Sequence, residues 1–219
     1  MLLIVFKFSF NTMKNRVIYA FTCTMILFLL IPGKIIAQKI EIIPFAGYQT
    51  SAIIPSVKGD FRVNDGMNLG LSLDLGSPDA GYKFFLAYSR QNSYLELDTA
   101  DISRPICDLA VHNLTLGVQM EFFQGDMLVP FTNLGVGTTI YQPLNSEIGY
   151  ERVMHFSIAG GAKLFINDHF GFRFQANLLL PVFFEGYIFE EGAPPPGEGM
   201  KTRIAGIQGD FTTGLIARF

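Results

Sequence analysis

The stretch HFGFRFQANLLL, residues 169–180, decides how this chain folds. Phe170, Phe172, Phe174, Ala176, Leu178 and Leu180 fill its even positions. Gly171, Arg173, Gln175 and Asn177 fill the odd ones, and only Leu179 breaks the pattern. Period-two alternation marks a β-strand whose two faces meet different surroundings. The fold then depends on what the apolar face touches: a protein core or lipid.

The N-terminus has a separate logic. Lys14 and Arg16 precede the apolar run Val17–Ile31, followed by Pro32, Gly33 and the small-residue exit at Ala37. This is the three-part plan of a secretory signal peptide over residues 1–37, with Met13 as an alternative start. The run is shorter than the roughly 20 residues a membrane-spanning helix needs. Cleavage after Ala37 would remove Lys7, Lys14, Arg16 and Lys34 and no acid. Sixteen bases less these four leave 12 against 19 acids, a formal charge of −7. An acidic chain of this kind is not expected to bind nucleic acid. Cys23 lies in the apolar run, so Cys107 alone remains, which excludes an internal disulfide and a thiolate metal site. The rest of the chain has no long continuous apolar run and no helical periodicity, and reads as all-β.

Alternation predicts eight strands, at about 39–50, 66–76, 82–97, 110–123, 128–141, 153–165, 169–183 and 204–219. A tilted membrane strand needs about 9–11 residues, which most of these supply. GSPDAG, QGD and INDH make short links after the second, fourth and sixth strands, and such residues suit tight turns. Long polar loops are expected at about 51–65, 98–109, 142–152 and 184–203. Short turns at one end and long loops at the other, with an even strand count, is the layout of an outer-membrane barrel. Both termini would then be periplasmic and the long loops extracellular.

Volume decides between lipid and core. An eight-stranded barrel has an interior just wide enough for side chains to fill it. The parity rich in Leu, Phe, Ile, Val and Met is too bulky for that space. The opposite parity fits: Gly70, Ser72, Ala87, Ser89, Thr115, Gly117, Asn133, Gly135, Gly137, Ala159 and Gly161. The apolar face therefore points into lipid. Eight charges fall on the inward parity: Glu41, Asp74, Lys83, Glu121, Lys163, Arg173, Asp210 and Arg218. An Arg or Lys facing hydrocarbon at midplane costs roughly 2–4 kcal/mol, whereas paired charges in a lumen avoid that penalty. Tyr82, Tyr88, Phe122, Phe123, Tyr141, Phe170, Phe183 and Phe184, near strand ends, are candidates for the interfacial aromatic girdles.

The opening strand IEIIPFAGYQ, the central PFTNLGVGTTIY and the ending GLIARF resemble the small outer-membrane β-barrel proteins of Gram-negative bacteria, the OmpA/OmpX/OmpW-like barrel domains. The resemblance covers residues 38–219 and implies an integral barrel in the outer membrane, in contact with its lipid and lipopolysaccharide. It also implies insertion by the barrel-assembly machinery, which reads a terminal aromatic residue with apolar residues at alternate positions before it. Phe211, Leu215 and Phe219 fit that signal, with Ala217 and the weaker Thr213 between them.

The function expected first is non-enzymatic: a structural or adaptor barrel, its lumen plugged by charge, with loops 51–65 and 184–203 open to a protein partner. A plugged eight-stranded barrel is not an open porin, since those run to about 16–18 strands. The alternative is a narrow channel for small apolar solutes, as in OmpW-like barrels. A third reading starts from His155 and Ser157 in MHFS, because outer-membrane lipid A deacylases use a His-x-Ser pair. A Ser nucleophile needs a base and an orienting group, and parity places both residues on the lumen side with no acid on the lipid face. His112, His155 and His169 are too scattered for a metal motif, and no cofactor is expected. Gly135, Gly137, Gly160 and Gly161 read as strand glycines easing crowding. FEEGAPPPGEGMK, with Glu190, Glu191 and Glu198, reads as a solvated acidic loop.

Overall fold

The computed structural model describes residues 39–56, 59–76, 81–98, 103–123, 127–144, 150–184, 202–204 and 206–219. Residues 1–37, where a signal peptide is expected, and residues 185–201, with Glu190, Glu191 and Glu198, lie outside this set.

Alternation produces eleven strands: β1 (Lys39–Gln49), β2 (Ala52–Ser56), β3 (Gly59–Val63), β4 (Gly66–Gly76), β5 (Tyr82–Asp98), β6 (Ser103–Glu121), β7 (Leu128–Leu144), β8 (Glu151–Phe165), β9 (Phe170–Phe184), β10 (Thr202–Ile204) and β11 (Gln208–Arg218). Eight of them, β1, β4, β5, β6, β7, β8, β9 and β11, pair in one closed antiparallel ring. The molecule is an eight-stranded antiparallel β-barrel. Closure runs through β1 and β11, where Glu41 meets Arg218 and Gln49 meets Asp210. Two further bonds, Ile40 N to Phe219 O at 3.1 Å and Phe219 N to Ile40 O at 2.9 Å, extend that seam past the last strand residue.

The alternation sorts the side chains. Leu69, Leu71, Leu86, Leu116, Leu134, Phe156, Ile158, Phe172, Phe174 and Leu178 are exposed on the outer wall, a continuous apolar surface. The inward set is small or polar, and it needs to be. A Cβ on Gly161 would stand 2.6 Å from Phe131 Cζ, so the phenyl ring occupies room that only a glycine leaves. Gly117 clears Phe85 in the same way, at 2.6 Å from Cε1. Gly160, by contrast, faces open space on the outside, so crowding explains only its neighbour. At the β8–β9 turn the Asn167 side-chain oxygen accepts from the backbone N–H of His169 at 2.9 Å and of Phe170 at 2.8 Å, a local clamp that lets the strand restart at once.

The far end departs from the expected long loops. Residues 51–65 contain the β2–β3 hairpin, and β3 pairs with the upper part of β5, from Asp60 opposite Asp98 to Val63 opposite Leu95. Most of 98–109 is strand too, since β5 runs to Asp98 and β6 begins at Ser103. β7 likewise extends to Leu144 and β8 starts at Glu151, while the last expected strand divides into β10 and β11. The barrel wall is therefore taller than the membrane segment alone. Cys107 sits within β6, half-buried against the interior, and not in a loop.

Candidate functional site: a lumen closed in tiers

At the short-turn end the interior is ionic. Glu41 (β1), Asp74 (β4), Lys83 (β5), Glu121 (β6), Lys163 (β8), Arg173 (β9) and Arg218 (β11) join in one network. Every barrel strand contributes except β7, which supplies the Phe131 ring beneath Arg173, 4.7 Å from the guanidinium carbon. Glu41 accepts from Lys83 at 2.6 Å, from Arg218 at 2.7 Å and from Lys163. Lys163 also reaches Glu121 at 2.8 Å and Asp74 at 3.2 Å. Arg173 donates to Asp74 at 3.2 Å and to Gln175 at 2.5 Å. Ile43, Val129, Phe165 and Ile216 pack among these charges, and the Arg218 guanidinium lies 3.6 Å from the Phe165 ring centroid. Buried charges are tolerated where each is paired and hydrogen-bonded, and this lattice meets that condition.

Asp210 is set apart. It takes a hydrogen bond from Asn68 Nδ2 at 2.7 Å and is joined to none of the seven other charges. It borders a small cavity of about 50 Å³ with Asn177, Ser89, Asn113, Ser157 and Arg173. That is room for a few waters. Leu179, the odd residue of the opening stretch, faces this cavity.

Above the cavity lies a neutral polar layer. Gln49 Nε2 donates to Gln208 Oε1 at 3.0 Å, and Thr139 Oγ1 donates to Asn113 Oδ1 at 2.8 Å. Since Thr139 spends its proton there, it accepts from His155 Nδ1 at 2.9 Å, leaving Nε2 to accept from Thr115 Oγ1 at 2.9 Å. His155 is thus held by two threonines. Ser157 is not bonded to it, and no carboxylate among the described residues orients it, so these residues do not assemble a nucleophilic Ser–His pair.

The third tier was not anticipated. Ala52, Phe61, Val63, Leu95, Leu109, Val111, Tyr141 and Val153 form a buried apolar cluster across the upper lumen, with Leu97 and Cys107 against it. Tyr141, expected in a girdle, is fully buried here, because position 141 shares the inward parity of Gly137 and Thr139. The sequence signal was an inversion: on β6 the inward face changes from Asn113 and Thr115 to Val111 and Leu109. Of the other girdle candidates, Tyr82, Tyr88, Phe122, Phe123 and Phe170 are exposed on the wall or turns, and the side chains of Phe183 and Phe184 lie outside the described set. Phe211, Leu215 and Phe219 project outward, exposed.

An apolar outer wall over a closed ring and a filled polar interior define the bacterial outer-membrane type of β-barrel. No family model and no curated protein matches the chain. Among solved structures, the outer membrane protein OprG from Pseudomonas aeruginosa superposes with a TM-score of 0.59 at 14% identity, covering 83% of this chain and 95% of that one. Neisserial surface protein A superposes with a TM-score of 0.56 at 10% identity, over 82% and 97% of the two chains. These likenesses are of fold.

Proposed function

We propose that the protein is a non-enzymatic integral barrel of the outer membrane, with short turns and both termini in the periplasm. Its role is structural or adaptor-like, exercised through the taller end that carries the β2–β3 hairpin and the 184–203 segment. The observation that carries this reading is the doubly closed lumen: an ionic lattice at one end, an apolar cluster at the other, and about 50 Å³ between them. A narrow apolar-solute channel would have to displace one or both closures, and an acyl hydrolase would need a Ser–His contact that the two threonines pre-empt. Insertion by the barrel-assembly machinery, with Phe211, Leu215 and Phe219 as signal, belongs to the same reading. Reconstitution into planar lipid bilayers tests it. The closed lumen predicts no steady conductance. A persistent ohmic channel from the folded, heat-modifiable protein would overturn it, as would loss of lipid A acyl chains that a Ser157→Ala variant abolishes.

A further inference from the structure

The outer wall carries two arginines at the level where the alternation inverts. On β5, the outward series Phe84, Leu86, Tyr88 is interrupted by Arg90 and Asn92 before the exposed Tyr94, and Leu95 faces inward. On β8, Met154 is the last apolar outward residue before Arg152, and Val153 faces in. Inversion is what the edge of the hydrocarbon should produce, because above it the outer face meets water and headgroups while the interior can be apolar. Arg90 and Arg152 lie in one register row: Arg90 opposite His112, His112 opposite Ile140, Ile140 opposite Arg152. Three strand spacings along the curved wall put the two backbones at most about 14 Å apart, and the strand tilt of a barrel makes the row climb obliquely from one arginine to the other.

Among the described residues, neither arginine meets an acid. Arg90 is exposed, enters no ion pair or hydrogen bond, and faces Leu69 across β4, one pair below the exposed Met67. Arg152 is exposed and donates through Nε to Thr138 Oγ1 at 3.1 Å, with Ile140 as its register partner and Met154 next along the outer face of its strand. Between them His112 is fixed by Tyr88, whose hydroxyl lies 2.8 Å from Nδ1 with the rings stacked at 6.1 Å. Each lysine and arginine of the lumen network touches at least one carboxylate, and among the described residues these two wall cations touch none. Two unpaired guanidinium forks at a hydrocarbon edge fit phosphate oxygens, which they bind bidentately.

We propose that Arg90 and Arg152 form a docking site for a phosphorylated lipid headgroup, and that the lipid is the lipid A moiety of lipopolysaccharide. The choice of lipid rests on the orientation proposed above, which turns the tall end of the wall, with both arginines, toward the outer leaflet. The experiment uses the folded barrel in detergent with three lipids: bis-phosphorylated lipid A, the same lipid with its phosphates removed, and phosphatidylglycerol. Native mass spectrometry counts what stays bound. The site predicts retention of phosphorylated lipid A above both others, and about tenfold weaker retention by Arg90→Gln/Arg152→Gln. Arg90→Lys/Arg152→Lys, which keeps charge but not the fork, should fall between. Should the glutamine pair fail to give a heat-modifiable band, added inorganic phosphate should strip lipid A from the wild type. Equal retention of the dephosphorylated lipid, or no loss in the glutamine or lysine variants and none with phosphate, overturns the site itself. Retention of phosphatidylglycerol as strong as that of lipid A, still sensitive to the arginines, overturns the lipid assignment, while the orientation is tested separately by labelling on intact cells.

Discussion

Lys163 on β8 reaches across the lumen to Glu41 on β1, three strands away around the ring, and both side chains are sealed from solvent. Neither could stand there alone. Glu41 gathers Lys83, Lys163 and Arg218, so Glu41→Gln leaves the network's four cations with two carboxylates and takes from Arg218 the one acid it pairs with among the described residues. Removing one member of a buried pair costs about 3–5 kcal/mol. Asp210, bound to Asn68 and to no cation, is the comparison, and Asp210→Asn should stay within about 1 kcal/mol of wild type. Urea unfolding in lipid measures both, and equal losses would mean that the network is not the lattice described.

Crowding at Phe131 gives a second expectation. Gly161→Ala should destabilise the barrel by about 1–3 kcal/mol, because the new methyl meets the phenyl ring and the strand cannot yield. Gly160→Ala, one residue along and facing outward, should be near neutral. Reversal of that order in the same unfolding measurement would put the lumen on the wrong side of β8.

How much of this was legible in the residues depends on height along the strands. In the membrane band, lipid dictates the outer face and volume dictates the inner one, so MNLGLSLDLG or HFGFRFQANLLL gives the strand and its sidedness together. Parity also puts Glu41 and Lys163 in one lumen, although which charges meet across seven strands is set by register and stagger. Above the band the rule changes sign. Leu95, Leu109, Val111, Tyr141 and Val153 are apolar and inward, while Asp108, Gln142 and Arg152 are outward, as in a soluble barrel. Read with a single rule, that inversion looks like the end of a strand. It is why the β2–β3 hairpin and the upper part of β6 passed for loops.

Orientation is open to labelling. Cys107 is a poor reporter, being half-buried beside the apolar cluster, and should react slowly until the protein is unfolded. In a Cys107→Ser background, Tyr150→Cys at the tall end should be labelled on intact cells by an impermeant thiol reagent. Asp168→Cys in the β8–β9 turn should react only after the outer membrane is broken. The opposite result would invert the topology.

Phe219 joins two roles that substitution can separate. Deleting it removes the paired backbone bonds to Ile40 as well as the exposed ring. Phe219→Ala keeps the backbone bonds. If the ring is an assembly signal, Phe219→Ala should lower the amount of heat-modifiable barrel in outer-membrane fractions nearly as much as deletion does. Wild-type levels with Phe219→Ala would assign the effect to barrel closure alone.

The central claim, that one face of each strand meets lipid while the other lines a closed lumen, rests on neighbours such as Phe84, 56% exposed, and Phe85, 5% exposed. The chain contains no tryptophan, so Phe84→Trp and Phe85→Trp each introduce a single fluorescent reporter. In bilayers of brominated phospholipid, Trp fluorescence in Phe84→Trp should be strongly quenched and untouched by aqueous iodide. In Phe85→Trp it should escape both quenchers. Bromine quenching in Phe85→Trp and not in Phe84→Trp would reverse the faces, and iodide quenching in Phe85→Trp would contradict the closed lumen.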